Sequence, residues 1–576
     1  MIAQWEQLES EARAWIEGDP DPETRAELTR LLEGRDASVL GDRMKPLTFG
    51  TAGLRGAVGA GSGRMNLAVV LRTAHAIAGH IKASVGPHGP VVIGFDARPT
   101  SRAFAEASAA VLLAAGLEVV AFAEPVATPL CAFLGRDLGA PITIVVTASH
   151  NPRPDNGYKV YGADAIQITS PVDVAIARRI EAAPRARDVP RAPVTFDAPN
   201  HERLTLVDES ILGRYFSALS AALPAGAARR ELRIVHSALH GVGSRPMLRA
   251  LHEAGFTLVS SVAEQAEPDG TFPTTPFPNP EEPGTLDLAI AEAERRGAAL
   301  LLVNDPDADR LAAAARLDRE LRVLDGNQVG ILLADHALRA FVRRASGLTP
   351  LVLSSVVSSP LVAALCQARS ARYERTHTGF KWLWSAALSL ERAGQGSFCF
   401  AYEEALGYSV FPAVRDKDGI AAGRALAELA AELEERGATL FDRLFELYAE
   451  HGLWASAALN VALSGSDAAA RLSADLETLL QQAELRLEGQ RVTRVVDYRA
   501  GAGERPVWLG AASLYELELE SGARIFVRPS GTEPKLKLYG HVRGELSRRS
   551  ELGRQLTAAR SSAAALLSAI AHALHQ

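Results

Sequence analysis

Short apolar runs alternate with alanine-rich stretches of helical length over most of this sequence. Residues 91–95 are followed by a helical stretch at 101–115 and by a second apolar run at 119–122. The same alternation surrounds the runs at 233–236 and 351–354. Strand–helix–strand units of this kind fold into parallel sheets covered by helices. We therefore expect repeated α/β domains along most of the chain.

The last part of the chain has a different pattern. Strand-like runs follow one another through turns, and two helical stretches flank them, which is typical of an α+β domain with an antiparallel sheet. The expected strands cover 492–498, 514–519, 523–527 and 535–542, and the expected helices cover 467–483 and about 546 to the end. Since 576 residues exceed one ordinary core, three or four domains are expected.

Composition excludes several classes of protein. The formal net charge is -7 and no long basic stretch is present, which argues against a nucleic-acid or membrane-surface binder. Cys131, Cys366 and Cys399 have no zinc-site spacing, so we expect buried thiols in a reducing compartment. Gly116 and Glu118 interrupt the longest apolar run, and residues 1–6 do not resemble a secretion signal. A cytoplasmic protein is expected.

A small hydroxyl side chain follows one of the expected buried strands. Residues 142–146 are apolar, and the sequence Thr-Ala-Ser-His-Asn-Pro continues from 147 to 152. Open α/β sheets bind ligands at the carboxyl ends of their strands. Ser149 therefore lies where a serine can act as a nucleophile, with His150 beside it.

Three aspartates alternate on a predicted turn after the apolar run at 300–303. Asp305, Asp307 and Asp309 would repel one another if they were left bare, and burial would raise their pKa values. A hard divalent cation removes this conflict, and Mg²⁺ accepts a few carboxylates together with phosphate oxygens. The loop lacks the glycine and the distal glutamate of an EF-hand, so we expect a magnesium site followed by Arg310.

Further segments have the composition of ligand-binding loops. Residues 528–535, Arg-Pro-Ser-Gly-Thr-Glu-Pro-Lys, combine turn backbone with cationic ends and suggest a phosphate cradle. Residues 49–56 bring three glycines close to Arg55, which would let that side chain approach an anion. Glu403 and Glu404 follow a strand, where carboxylates can bind sugar hydroxyls or do acid–base work, and a plain charged turn is an equally good interpretation. The Pro-rich loop at 267–283 is interpreted as a surface connection.

These motifs, in this order, resemble the α-D-phosphohexomutase superfamily of phosphoglucomutases and phosphomannomutases. The resemblance extends from Phe49 to His541, and residues 49–55, 378–382, 403–408 and 416–419 look most like the phosphoglucomutase-2 or phosphopentomutase branch. The family implies four domains around a central cleft: three similar α/β domains and a C-terminal α+β domain with an antiparallel sheet. We place the phosphoserine loop in 1–205, the metal-binding loop in 206–322, the sugar-binding loop in 323–452 and the phosphate-binding loop in 453–576.

The resemblance also implies a role for each motif residue. Ser149 would be the phosphoserine and would share a metal ion with Asp305, Asp307 and Asp309. Lys159, Arg55 and His150 would serve the transfer step, and Arg310 would bind the transferring phosphate. The predicted substrate-binding residues are Glu403, Lys381, Arg528, Ser530, Gly531, Thr532, Lys535 and Arg310. The turn at 240–243 also matches the family, and a structural role is expected for it.

The implied reaction moves a phosphoryl group between two positions of one sugar. Phosphoserine gives its phosphoryl group to a sugar hydroxyl, the bisphosphate turns around, and the other phosphoryl group returns to Ser149. One Mg²⁺ per chain and a sugar bisphosphate activator are implied. The expected partner is a small phosphosugar, with no nucleic acid or membrane, and the chain is expected to be a monomer or dimer.

We expect a phosphosugar mutase acting on glucose 1-phosphate and glucose 6-phosphate. Pentose phosphates are the close alternative, followed by mannose phosphates. Ala405 stands where many glucose- and mannose-specific relatives have a serine, which leaves the hexose or pentose preference open. A metal-dependent phosphatase using Ser149 and a phosphosugar-binding regulator are the alternatives from other classes. Ser149, Lys159 and the three aspartates argue against the regulator, since a binder has no use for a nucleophile.

Overall fold

The computed structural model describes most of the chain and divides it into two compact units. The described residues are 2–48, 53–85, 89–223, 226, 230–344, 347–462, 476–479, 485–529 and 535–574. Unit 1 comprises residues 1–314 and 407–431, and unit 2 comprises residues 315–406 and 432–576. The predicted motif residues Phe49, Gly50, Thr51 and Ala52 lie outside the described residues.

Unit 1 begins with a six-stranded mixed sheet. Its strands are β1 (Leu54–Ala57), β2 (Val91–Phe95), β3 (Val119–Ala121), β4 (Thr143–Val146), β5 (Asp155–Tyr161) and β6 (Leu204–Leu206). The order is β1–β5–β4–β2–β3–β6. Strands β4, β2, β3 and β6 are parallel, whereas β5 is antiparallel to both of its neighbours. All five residues of β2 are buried, as expected for a parallel strand covered on both faces.

A smaller sheet follows in unit 1. It contains β7 (Ile234–Ser237), β8 (Val259–Ser261), β9 (Leu300–Val303) and β10 (Ala312–Leu317), in the order β10–β9–β7–β8. Strand β7 is parallel to β8 and β9.

The helices of this part of the chain are α1 (Ile2–Gly18), α2 (Pro22–Glu33), α3 (Ala37–Met44), α4 (Leu67–His80), α5 (Ser101–Ala114), α6 (Thr128–Asp137), α7 (Val172–Glu181), α8 (Glu209–Ala222), α9 (Ser244–Glu253) and α10 (Asp287–Arg296).

Unit 2 contains a third α/β segment. Its elements are β11 (Glu320–Leu324), α11 (Gly326–Arg343), β12 (Pro350–Ser355), α12 (Leu361–Ala368), β13 (Arg372–Thr376), α13 (Phe380–Arg392) and β14 (Ser397–Glu403). Strand β12 lies between β13 and β14 and is parallel to both. The chain then returns to unit 1 through β15 (Gly407–Ser409) and the first part of α14 (Gly419–Glu434).

The C-terminal part of unit 2 is an antiparallel sheet with one long helix. After α15 (Leu440–His451) come β16 (Leu453–Ala462), β17 (Arg486–Leu487), β18 (Gln490–Asp497), β19 (Tyr515–Leu519), β20 (Arg524–Pro529), β21 (Lys535–Gly544) and α16 (Leu552–Ala573). The order is β16–β21–β20–β19–β18–β17, and every pairing is antiparallel. The prediction of α/β domains followed by an α+β domain is confirmed. Of the helix expected at 467–483, only 476–479 are described, and they are helical.

Two smaller predictions can also be compared with this fold. Cys131, Cys366 and Cys399 are buried free thiols, as expected. Among the described helices, none combines the length and the apolarity needed to cross a bilayer.

A buried carboxylate, that of Asp418, directly precedes α14, the helix that begins in unit 1. Asp418 accepts hydrogen bonds from the Ile420 and Ala421 amides at 3.1 and 2.9 Å, and from the Tyr215 hydroxyl. Capping of this kind satisfies amides that the first helical turn leaves without partners. Burial raises the pKa of Asp418 to about 6, although these donors favour the ionised form.

We predict that Asp418 makes the stability of the protein depend on pH between about 4 and 6. Because the folded pKa is raised, the folded state keeps a proton that the unfolded chain releases near pH 3.8, so stability is lost as pH rises. At 1.36 kcal/mol per unit of pKa the effect is at most about 3 kcal/mol. Urea unfolding of the wild type and of Asp418→Asn at pH 4 and 7 measures it. Equal pH dependence in the two proteins would contradict this assignment.

Candidate active site

Ser149 occupies a strained turn directly after β4. Its φ is 53°, a left-handed conformation that is uncommon for a residue other than glycine. The Ser149 amide donates to Thr147 Oγ1 at 2.8 Å, and the Thr147 hydroxyl donates to the buried Asp96 carboxylate at 2.7 Å. Strained backbone conformations of this kind are typical of functional turns. The prediction that Ser149 follows a buried strand is confirmed, although only 3 % of its surface is exposed.

The three aspartates lie together after β9 and face Ser149. One carboxylate oxygen from each of Asp305, Asp307 and Asp309 lies within 4.8 Å of the others, and all three side chains are buried. The Ser149 hydroxyl donates to Asp305 Oδ2 at 2.7 Å. Residues that are 156 positions apart are therefore in direct contact, and the hydroxyl lies at the edge of the carboxylate cluster.

Two lysines balance the charge of this cluster. Lys159 Nζ lies 2.6 Å from Asp307 Oδ2 and 2.7 Å from Asp309 Oδ2. Lys417 Nζ lies 3.2 Å from Asp309 Oδ2 and 3.0 Å from Asp416 Oδ1. Buried carboxylates require such partners, because an unpaired charge in a dry interior is very unfavourable.

The pKa values of the aspartates diverge as a result. Burial and the carboxylates of Asp307 and Asp309 hold the pKa of Asp305 well above its ordinary value. Burial would also raise the pKa values of Asp307 and Asp309, but the Lys159 ammonium outweighs it and both pKa values are lowered. Burial would lower the pKa of Lys159, yet the same two carboxylates raise it. Lys159 is therefore an ammonium in this arrangement.

The residues present fit a divalent cation. Asp307 Oδ1 and Asp309 Oδ1 are buried and have no hydrogen-bond partner among the described residues. Buried oxygens nearly always have a hydrogen-bond partner or a metal ion. These two oxygens are therefore available as metal ligands. Three carboxylates with one further oxygen are a donor set that Mg²⁺ accepts. Asp305, Asp307 and Asp309 are the residues that would hold it.

The other predicted catalytic side chains surround Ser149. His150 Nδ1 lies 3.1 Å from Ser149 Oγ, and burial together with Arg310 and Arg55 holds the His150 pKa well below its ordinary value. Arg55 Nη1 donates to Asn151 Oδ1 at 3.0 Å. The Arg310 amide donates to Asp305 Oδ1, and its side chain lies 3.4 Å from the Glu281 carboxylate. Unit 1 thus gathers every catalytic and metal-binding residue that the sequence suggested.

The predicted sugar-binding residues lie in unit 2. Glu403 Oε1 accepts a hydrogen bond from the Gly379 amide. Lys381, two residues after Gly379, has its ammonium 5.6 Å from the centre of the Trp382 ring. The paired carboxylates have separate surroundings. Glu404 accepts hydrogen bonds from the Ser355 and Ser358 hydroxyls, and burial followed by the Glu403 charge raises its pKa.

The predicted phosphate cradle is described only in part. Arg528 lies on β20 opposite Lys537 of β21. Ser530, Gly531 and Thr532 lie outside the described residues, as does the side chain of Lys535. Their roles remain predictions.

Sequence reasoning missed several residues that complete the site. Lys417, which the sequence analysis names only within a family motif, pairs with Asp309. Thr128 donates to Asp307 Oδ2 at 2.7 Å, and Arg98 binds the backbone of the Ser149 turn. Asp96 and Arg98 directly follow β2, so the strand-end argument that selected Ser149 could have found them. The sequence around Thr128 does not indicate that it approaches the aspartates, and the motif at 416–419 does not indicate which residues Lys417 contacts.

Comparisons with known proteins identify the family of this chain. Three family models match the chain: Phosphoglucomutase/phosphomannomutase, alpha/beta/alpha domain I at residues 46–187, domain II at 213–317 and domain III at 325–449. A Schizosaccharomyces pombe protein named "Probable phosphoribomutase" is 34% identical over 92% of this chain and 93% of its own. The Homo sapiens protein named "Phosphopentomutase" is 35% identical over 77% of this chain and 75% of its own.

A solved structure has the same fold. The crystal structure of a phosphoglucomutase/phosphomannomutase family protein from Burkholderia thailandensis superposes with a TM-score of 0.65, at 19% identity, over 90% of this chain and 95% of that one. The family matches, the two relatives and the site together lead to one conclusion. The chain belongs to the α-D-phosphohexomutase superfamily, in its phosphoglucomutase-2 and phosphopentomutase branch, and is an isomerase of the phosphomutase class.

Proposed function

We propose that this mutase interconverts the 1- and 5-phosphates of ribose and deoxyribose through a phosphorylated Ser149. The observation that carries the transfer chemistry is the 2.7 Å contact between Ser149 Oγ and Asp305, at the edge of a buried carboxylate cluster. A purely structural serine would have no need to place its hydroxyl against one of three clustered, buried aspartates. A phosphoryl carrier does, because its phosphate oxygens need the cation that such carboxylates hold.

In the forward half-reaction, the bond between phosphorus and Ser149 Oγ breaks as phosphorus bonds to a sugar hydroxyl. The hydroxyl loses its proton and Ser149 Oγ gains one. Lys159, held as an ammonium, can donate a proton, and neutral His150 beside Ser149 Oγ can accept one. The bisphosphate formed then presents its other phosphoryl group, and the same steps run in reverse to regenerate phosphorylated Ser149.

Charge neutralisation is the main demand of this reaction. Asp305, Asp307 and Asp309 would hold one Mg²⁺ together with an oxygen of the Ser149 phosphate. When bound, the metal would neutralise charge that develops on the transferring phosphoryl oxygens. Arg310 and Arg55 add fixed positive charge on the side of Ser149. A sugar bisphosphate would serve as the activator, since it can phosphorylate an empty Ser149.

Recognition of the rest of the substrate is assigned to unit 2. Glu403 and Lys381 would bind the sugar, and Arg528, Ser530, Gly531, Thr532 and Lys535 would bind the phosphate that is not being transferred. This division follows four proposed domains, 1–205, 206–322, 323–452 and 453–576. The proposal rests on the family motif at each position.

The choice of pentose over glucose departs from our first expectation. A relative named for ribose covers nearly the whole chain, and the human relative is named for pentoses. Ala405 also lacks the hydroxyl that many hexose-specific family members place in the sugar loop. Glucose phosphate is the second candidate, since the family models are named for phosphoglucomutase and phosphomannomutase.

We predict that Ser149→Ala abolishes transfer and leaves substrate binding intact. Loss of a nucleophile typically lowers kcat by at least about 10⁴-fold. A coupled assay measures turnover, calorimetry measures binding, and intact mass shows whether the wild type carries a phosphoryl group that the variant lacks. Ser108→Ala, which removes another buried serine hydroxyl, is the control. Near-normal turnover by Ser149→Ala would refute the phosphoserine role.

We predict that Mg²⁺ raises the melting temperature of the wild type but not of Asp309→Asn. A cation present at a hundredfold excess over its Kd stabilises the folded state by roughly 3 kcal/mol. The Mg²⁺-induced shift is compared within each protein, because the variant also loses its pairing with Lys159. Asp318→Asn, at an exposed aspartate, is the control. An equal shift in Asp309→Asn would remove this residue from the metal site.

We predict that kcat/KM for ribose 1-phosphate exceeds that for glucose 1-phosphate by at least about tenfold, the scale on which pocket contacts discriminate. Each sugar 1-phosphate is assayed with a trace of its bisphosphate, and Ala405→Ser should narrow the difference. A preference for glucose 1-phosphate would establish the second candidate. Steady phosphate release without isomer formation would instead indicate a phosphatase.

A further inference from the structure

The Pro-rich loop at 267–283, interpreted above as a surface connection, is exposed at several residues but is also packed against the rest of unit 1. Phe272 near its start is 3 % exposed and adopts a left-handed φ of 48°. The Asp269 amide donates to the His240 carbonyl at 2.8 Å, and Thr274 Oγ1 lies 2.8 Å from His240 Nε2. Gln265 Nε2 donates to the same Thr274 oxygen at 2.9 Å. This loop is therefore fixed to the turn that follows β7.

A single guanidinium organises the backbone around Ser149. Arg98 Nη2 donates to the carbonyls of Ser149 at 2.8 Å and Asn151 at 2.6 Å. Arg98 Nη1 donates to the carbonyls of Pro152 at 2.9 Å and Asp155 at 2.8 Å. The guanidinium is also paired with Asp96 and is almost fully buried. Four carbonyls of one turn thus depend on the position of one side chain.

The loop covers this guanidinium. The Arg98 Cζ lies 5.1 Å from the centre of the Phe272 ring, within the range of a cation–π contact. Gly270 lies two residues before Phe272. If it carried a side chain, its Cβ would lie 2.4 Å from the Ala97 carbonyl oxygen and from Arg98 Cα. Only glycine fits there, so the loop backbone lies directly against Arg98.

The far end of the loop reaches the metal-binding segment. Glu281 lies 3.4 Å from Arg310, the residue that follows the three aspartates. In addition, the turn to which the loop is fixed packs closely against the aspartate segment, because a Cβ added to Gly241 would lie 2.3 Å from Pro306. The loop therefore contacts Arg98, which binds the Ser149 turn, and Arg310, which follows the three aspartates.

We infer that the loop at 267–283 is a positioning element for the phosphoryl carrier, with Phe272 and Arg98 as its positioning residues. Phe272 fixes the Arg98 guanidinium, Arg98 fixes four carbonyls, and these hold Ser149 in the left-handed conformation that directs its Oγ to Asp305. The carrier serine is thus aligned by Phe272, which lies 123 positions further along the chain (272 − 149). The inference rests on the proposed role of Ser149 in the reaction.

The test compares Phe272→Leu and Arg98→Lys with Phe256→Leu. Leucine removes the aromatic face, and lysine has one ammonium that cannot donate to four separate carbonyls. Phe256 is the matched control, because it is also buried, with Arg230 4.9 Å from its ring centre. Arg230 binds Glu428 and the Gly226 carbonyl, not the Ser149 turn.

Hydrogen exchange of residues 147–157 is measured first, because it does not require turnover. Phe272→Leu or Arg98→Lys should exchange at least about tenfold faster in this segment, and Phe256→Leu should match the wild type. With substrate, kcat should fall by about 10- to 100-fold while KM stays within about twofold, since a displaced nucleophile affects chemistry more than binding. Either variant suffices if the other fails to fold.

Unchanged exchange at 147–157 would overturn the inference, as would equal acceleration in Phe256→Leu. A fall in kcat matched by Phe256→Leu would equally overturn it. If the wild type turns over no phosphosugar, the proposed function fails, and the exchange data still decide whether the loop holds the Ser149 turn.

Discussion

Three carboxylates buried within 4.8 Å of one another are the constraint on which the site depends. Isolated carboxylates in a dry interior are strongly unfavourable, so every neighbouring group has to compensate for them. Lys159 and Lys417 supply positive charge, Thr128 and Ser149 supply hydroxyl donors, and the Arg310 amide binds Asp305. Among the residues that the structure describes, Asp307 Oδ1 and Asp309 Oδ1 are still left without a protein partner. A cation held by the three carboxylates would satisfy these oxygens, which links the fold of the loop to its proposed chemistry.

The serine that serves this cluster is held by backbone contacts more than by side-chain contacts. A left-handed residue other than glycine costs of order 1–3 kcal/mol and persists only when its surroundings determine it. Here Thr147 accepts from the Ser149 amide and Arg98 donates to its carbonyl. Both partners are bonded to Asp96, so one buried carboxylate lies behind the whole turn. Precision at Ser149 therefore originates in residues that need not touch a substrate.

Much of this could be predicted from the sequence, because the informative patterns are local. The apolar run before Ser149 and the one before Asp305 each predict a strand, and strand ends are where parallel sheets bind ligands. Lys417 and Thr128 could not be found in this way, since neither directly follows a strand expected from the sequence. The contacts of the loop at 267–283 could not be predicted for a related reason. Its Pro- and Gly-rich composition is typical of surface turns, and composition does not reveal that Gly270 is needed for close contact with Arg98.

The return of residues 407–431 to unit 1 has a consequence for how the protein is made. Lys417 contacts Asp309, Asp418 binds Tyr215, and Arg424 donates to Ser220 and to the Leu223 carbonyl. A nascent chain that ends anywhere before this segment lacks the second ammonium beside the aspartates. Unit 1 therefore cannot finish folding when only its first 314 residues have been synthesised. It also needs residues 407–431, which are synthesised after residues 315–406 of unit 2. Synthesis order thus delays completion of the aspartate cluster until most of the protein exists.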